Sequence, residues 1–176
     1  MKTKGCEAFL GFCFREGKIF KRQYPDHPII GVGGIIFRDD QVVLVKRGKE
    51  PSYGQWSIPG GAVHTGETLP EALTREILEE THLEVEVLNL VKVLDRIFRD
   101  PDGRVAYHYV LVDFLCRYRR GDLKWDSDAL DARFVPLKDL PDYHLPAITL
   151  EVIHRADRFC KDPAIGQLPG VGSFYE

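Results

Sequence analysis

Glu76, Glu79 and Glu80 follow Arg75 in the run Arg75-Glu76-Ile77-Leu78-Glu79-Glu80, a spacing that gathers three carboxylates along one edge of a helix. Grouped hard oxygen ligands are what Mg²⁺ takes, with Mn²⁺ as the alternative, water filling the open positions. A cation held there would serve chemistry on phosphates.

The helix that must carry these acids is readable without any functional assumption. Thr68 and Glu71 have the spacing of a capping box, Pro70 falls in the first turn, and no Gly or Pro interrupts Glu71 to Leu83. A helix from near Thr68 to near His82 is expected. With Leu69 at zero and about 100° per residue, Leu73 falls near ~40°, Ile77 near ~80° and Ala72 near ~300°, which defines the buried stripe. On the same wheel Glu76 falls near ~340°, Glu80 near ~20° and Glu79 near ~280°, so all three carboxylates are expected to point at the body of the fold. A charge run is ordinarily a solvated face. Acids directed inward repel one another and lose hydration, so they need protonation, a basic partner or a cation.

The stretch from Gly61 to Leu83 resembles the Nudix box, G-x5-E-x7-R-E-U-x-E-E-x-G-U with U an aliphatic residue. Gly61, Glu67, Arg75, Glu76, Ile77, Glu79, Glu80 and Leu83 stand where that pattern puts them, and Trp56 to Gly61 has the usual lead-in. His82 occupies the second glycine. That position follows the helix, where a left-handed cap is often required, and histidine can adopt it at a cost on the order of 1 kcal/mol.

The resemblance implies an α/β chain, a Nudix-type α/β/α sandwich with a mixed β-sheet between helices. It implies hydrolysis of a nucleoside diphosphate linked to another moiety, by attack of water on a phosphorus of the pyrophosphate. Glu76 and Glu80 would hold the principal cation, Glu79 would complete the ligand set or bind a second ion, and the Gly60 carbonyl would add a backbone oxygen. Arg75 would orient Glu76 or pair with Glu67. The general base would be Glu76, or Asp128 from the acidic segment Trp125 to Phe134. Arg47 is a candidate phosphate ligand, and Trp56 and Tyr109 are candidate contacts to the substrate; Tyr107 and Tyr109 share a strand face, with His108 on the other.

Overall likeness leans to an ADP-ribose-type pyrophosphatase, members of which carry a proline beyond the box, near the place Pro101 takes here. A housecleaning nucleoside triphosphate hydrolase is the alternative, and a non-catalytic nucleotide-sensing or partner-binding module on the same fold is a second. Retention of the box acids and Arg75 argues against that second alternative.

The 176 residues, 44% of them hydrophobic, suit one domain with a single core. We divide the chain into an N-terminal extension at 1–27 with a candidate hairpin, a domain at 28–162, and an irregular tail at 163–176. The extension could cover a sheet edge or contribute to a homodimer. A net charge of -3 with both signs interspersed gives no footprint for a nucleic-acid polymer or an anionic membrane. A small-molecule nucleotide is the expected partner. Glu7 breaks the short apolar stretch near the N-terminus, which makes a poor signal or span. Cys6, Cys13, Cys116 and Cys160 form no C-x-x-C pair, which reads as reduced thiols in a cytoplasmic protein.

Along the chain, Ile29 to Phe37 and Val42 to Val45 read as a hairpin, Gly48 to Gly61 as loop, and Val85 to Phe98 and Val105 to Cys116 as a second hairpin about Pro101-Asp102-Gly103. Phe134 to Leu137 reads as a short strand and Pro146 to Cys160 as a helix with Ile148, Val152, Ile153 and Ala156 inward.

Overall fold

The run Ile29–Arg38 has no charged side chain before its last residue, so a strand built from it can be covered on both faces. The computed structural model, which describes residues 22–126 and 128–162, uses it that way. β1 (Ile29–Arg38) turns through Asp39, at φ 55°, into β2 (Gln41–Arg47). β3 (Trp56–Ser57) and β4 (Gly60–Ala62) follow, then helix α1 (Leu69–Thr81). The long hairpin of β5 (Glu84–Arg99) and β6 (Val105–Arg120), β7 (Ala129–Pro136), a 3₁₀ turn (Leu137–Tyr143) and helix α2 (Ala147–Lys161) complete the chain.

The strands form one sheet in the order β3-β2-β1-β6-β5, with β4 paired to β1 and β7 to β2. β1 and β6 run parallel and the other pairs antiparallel, which makes the sheet mixed. Period-two alternation sends Ile35 and Ile36 of β1 to opposite faces. Ile35 joins Val152, Ile153 and Ala156 of α2, and Ile36 joins Leu73 and Ile77 of α1. The sheet therefore lies between two helices, as expected. Each of these fully buried branched side chains contributes about 1.5–3 kcal/mol relative to exposure.

Two expectations need correction. Gly48 to Gly61 is not all loop, because β3 and the start of β4 lie in it. Such short strands, bounded by Gly and Pro, leave no alternation to read. The strand expected at Phe134 to Leu137 begins at Ala129 and ends at Pro136, and Leu137 opens the 3₁₀ turn instead. β7 pairs with β2, and its Asp131 and Arg133 pair with each other at 2.7 Å; those charges masked the strand. The hairpin proposed within 1–27 and the tail at 163–176 fall largely or wholly outside the described residues, as do Cys6 and Cys13. Cys116 and Cys160 are free thiols. No helix of the described residues is long and apolar enough to cross a membrane.

Candidate active site

α1 is fixed at both ends by its own sequence. The Thr68 N–H donates to Glu71 Oε2 at 2.8 Å while Thr68 Oγ1 accepts from the Glu71 N–H, closing the capping box. At the other end His82 takes the left-handed conformation, φ 58°, and its N–H donates to the Leu78 carbonyl at 3.0 Å. Its side chain turns outward, 3.7 Å from Asp126. The glycine missing from the motif is thus replaced by a strained residue that keeps the same cap.

The helix lays its carboxylates on a floor of glycine. The Gly60 N–H donates to Glu80 Oε2 at 3.0 Å. At Gly61 any Cβ would run into the Glu76 carboxylate. Both glycines belong to β4, which pairs with Val32 and Gly33 of β1, so the sheet sets the floor and the helix sets the acids.

Arg75 contacts both of the carboxylates named for it, Glu67 and Glu76. Its Nε and Nη2 donate to the two oxygens of Glu67 at 2.6 and 2.9 Å, its Nη1 donates to Glu76 Oε1 at 2.7 Å, and Nη2 reaches the Ala62 carbonyl at 3.1 Å. The bidentate contact holds the Glu67 carboxyl at a pKa of about 2, and the same partners raise that of Arg75.

Glu80 differs. It is 5% exposed, and burial lifts its pKa to about 7, helped by the nearby charges of Glu76 and Asp128 and opposed by the Gly60 N–H and Arg47. Glu79 corrects the helical-wheel expectation: its side chain is 54% exposed at the solvent edge, 3.5 Å from Arg75 Nη1. At ~280° it lies just outside the covered stripe.

Arg47, at the end of β2, donates from Nη1 to the Gly60 carbonyl at 3.3 Å, which brings the phosphate candidate to the expected backbone ligand. Asp128 lies within electrostatic reach of Glu80 and forms an ion pair with Lys49, while its carbonyl accepts from the Gly48 N–H at 2.7 Å.

Arg47, Gly60 and Gly61 line one end of a cleft of about 160 Å³ that runs across β1, β6 and β5. Trp56 lines it, held edge-on to Tyr143 at 5.1 Å with Arg133 over its ring. Tyr109 lines it too, stacked on Tyr107 at 6.4 Å, and His108 faces the opposite side near Asp95, as the alternation requires. Three charged lining residues were not anticipated from the sequence: Arg22, Arg96 and Asp113. For Asp113 a signal existed, a single acid inside the apolar run Val110 to Cys116. Arg22 and Arg96 carry none, since solvated arginines of that kind are common.

The donor set suits a hard cation. Glu76 and Glu80 are inward carboxylates, and among the described residues an amide donor and one arginine offset the charge of Glu80. Among the described residues no three acidic, histidine or cysteine side chains converge closely enough to hold an ion by themselves. Phosphate oxygens and water would have to complete its coordination.

A profile of the NUDIX domain matches residues 27–155. The chain is 41% identical over 115 residues to an ADP-ribose pyrophosphatase of Methanocaldococcus jannaschii, spanning 65% of this chain and 66% of that protein. It is 31% identical over 126 residues to an 8-oxo-dGDP phosphatase of Mus musculus, spanning 69% of this chain but only 36% of that one. Among solved structures it resembles a MutT NUDIX hydrolase from Burkholderia pseudomallei, with a TM-score of 0.64 and 30% identity over 74% of this chain and 98% of the other.

Proposed function

This chain belongs to the Nudix family, and from that premise we propose that it hydrolyses the pyrophosphate of a nucleoside diphosphate linked to another moiety, ADP-ribose or a similar nucleotide sugar first. The observation that carries the proposal is the pair of carboxylates, Glu76 and Glu80, laid on the bare backbone of Gly60 and Gly61 at the edge of an arginine-bearing cleft. The 41% identity to an ADP-ribose pyrophosphatase supports the choice of substrate.

Glu76, Glu80 and the Gly60 carbonyl would hold Mg²⁺, or Mn²⁺, with Glu79 completing the set or holding a second ion. Bound there, a divalent cation neutralises phosphate oxygens and lowers the pKa of water. The remaining work falls to side chains. Arg75 fixes Glu76 through Oε1 and Glu67 through both oxygens, so neither carboxylate is free to swing when substrate charge arrives. Arg47 places a guanidinium beside the Gly60 carbonyl, where it can bind a phosphate oxygen. Glu76 Oε2, the oxygen Arg75 does not engage, takes the proton of the attacking water; Asp128 is the second candidate, already committed to Lys49. Trp56 and Tyr109 line the space for the rest of the substrate.

The test is a substrate screen with Mg²⁺ over ADP-ribose, other nucleotide sugars, diadenosine polyphosphates, and canonical and oxidised nucleoside triphosphates. AMP and ribose 5-phosphate from ADP-ribose, at a kcat/KM of about 10⁴ M⁻¹s⁻¹ or more, supports the proposal. Pyrophosphate from triphosphates alone moves the chain to the housecleaning class. Silence across the panel with metal bound favours a nucleotide-sensing module.

A further inference from the structure

The cleft contains one acid that neither the motif nor the proposed reaction uses. Asp113 stands on β6 in line with Tyr109 and Leu111, facing the cleft, and is 5% exposed. Its register partners are Gly33 on β1 and Lys92 on β5. Gly33 leaves bare backbone beneath it, since a Cβ there would run into the Asp113 carboxylate. Lys92 favours the ionised acid electrostatically, but its ammonium is bonded to Glu151 of α2. Among the described residues none donates a hydrogen bond to the Asp113 side chain, and burial lifts its pKa to about 6.

Among the described residues no side-chain oxygen is both fully enclosed and unpartnered, so the Asp113 carboxylate opens to the cleft, where a donor arriving from outside can reach it. The adjoining space has a definite shape. Ile58, Leu94 and Leu111 line it with apolar side chains, Leu111 lying over Gly31 and Ile58 over Gly33. The whole cleft, about 160 Å³, is large enough to admit an aromatic ring. Apolar walls suit a heterocycle better than a hydroxylated sugar, and an acceptor-only group at the end suits the edge of that ring bearing N–H donors. Gly33 also pairs with Gly60 on its other side, so Asp113 lies two strands, about 10 Å, from the strand under the catalytic helix. That separation leaves room for a ribose and phosphate between them.

We infer that Asp113 reads the base: its carboxylate accepts hydrogen bonds from the amino edge of a purine packed among Ile58, Leu94 and Leu111. This rests on the proposed function and carries it from the phosphates to the nucleoside. Adenine offers N6–H and guanine N1–H with N2–H, so the shared chemistry is an N–H donor edge.

Binding of nucleoside monophosphates to the full chain in the absence of metal tests the inference without turnover. AMP, GMP, purine riboside 5′-monophosphate, which lacks the amino group, and ribose 5-phosphate are titrated into wild type, Asp113→Leu and Asp113→Asn, with Tm checked for each. In wild type, AMP or GMP binds about tenfold or more tightly than the amine-free purine; which of the two leads identifies the base. Asp113→Leu keeps the shape, removes the acceptor and brings the purines to within about twofold of one another. Asp113→Asn offers a donor beside an acceptor, so it keeps AMP and loses GMP. Equal binding of all purines by wild type, or no binding, overturns the inference. So does discrimination that survives in Asp113→Leu, or an equal loss of ribose 5-phosphate binding, which would put the sugar in the slot. Hydrolysis with no base discrimination leaves the proposed function standing alone; base discrimination with no hydrolysis does the reverse.

Discussion

The corner around Arg75 and the far end of the cleft around Asp113 treat acidic side chains in opposite ways. At the corner, Glu67 and Glu76 share one guanidinium, and the pairing holds Glu67 at a pKa of about 2. In the cleft, Asp113 is as buried as Glu80, has no hydrogen-bonded donor among the described residues, and is pushed up to about 6. Charge satisfied by the fold marks a group held in position, whereas charge left unsatisfied among the described residues marks a group open to a further partner. Glu80 stands between the two, with one amide donor and one nearby arginine.

The largest effects are expected where acids lack enough compensation. Glu80→Gln and Glu76→Gln each lower kcat on the substrate found by the screen by more than about 10²-fold, beyond what loss of an outer partner costs. Glu80→Gln folds at least as stably as wild type, because a buried amide costs less than a buried charge. Near-full activity in both variants would remove these residues from the site. Gly61→Ala sharpens the point without touching an acid: its Cβ displaces the Glu76 carboxylate, and a misplacement of about 1 Å costs about 10²-fold in kcat. Unchanged kcat there would mean that the geometry of Glu76 is unimportant.

The satisfied corner should fail more gently. Arg75→Lys keeps the charge but loses the fork that grips Glu67 and Glu76 together, and activity falls by about 10- to 100-fold. Glu67 also ties this corner to pH. Its folded pKa lies below the ordinary 4.5, so the pairing contributes fully above that pH and is lost as pH falls from 4.5 towards 2. Melts of wild type and Glu67→Gln should therefore diverge above pH 4.5 and converge at about pH 2; parallel curves would show that the pair carries no stability.

The two regions also differed in how well the sequence revealed them. Helix α1, its capping box and the left-handed His82 cap were legible because a helix brings near neighbours together and periodicity says which side they take. The one error there, Glu79, came from the margin of the stripe, where a few tens of degrees decide exposure. The cleft is assembled by register between strands far apart in the chain, Gly33 beside Asp113 and Tyr109 beside Arg96. No local pattern states which residues face each other across a sheet. Tyr109 was nonetheless placed on the same face as Tyr107, since that needs only alternation within one strand. β3 and β4 were missed although β4 carries the floor of the site, because two or three residues of strand have no period.

The smallest effect separates the regions most cleanly, because its pH dependence runs the other way. Asp113 holds its proton more tightly in the fold, at about 6, than at its ordinary 3.8, so its contribution to stability falls as pH rises between those values. Below about 3.8 the acid is neutral in both states and Asp113→Asn should melt with wild type. Above about 6 the wild type carries a buried charge that the amide does not, and Asp113→Asn should be more stable by on the order of 1–2 kcal/mol. Urea melts at pH 4 and pH 8 measure the difference directly. Should Asp113→Asn be less stable at pH 8, Lys92 would be acting as a true counter-ion despite its bond to Glu151, and the cleft would be as internally satisfied as the Arg75 corner. A gain at pH 8 with no gain at pH 4 would locate the strain in the ionised carboxylate itself, the state that a bound N–H donor relieves.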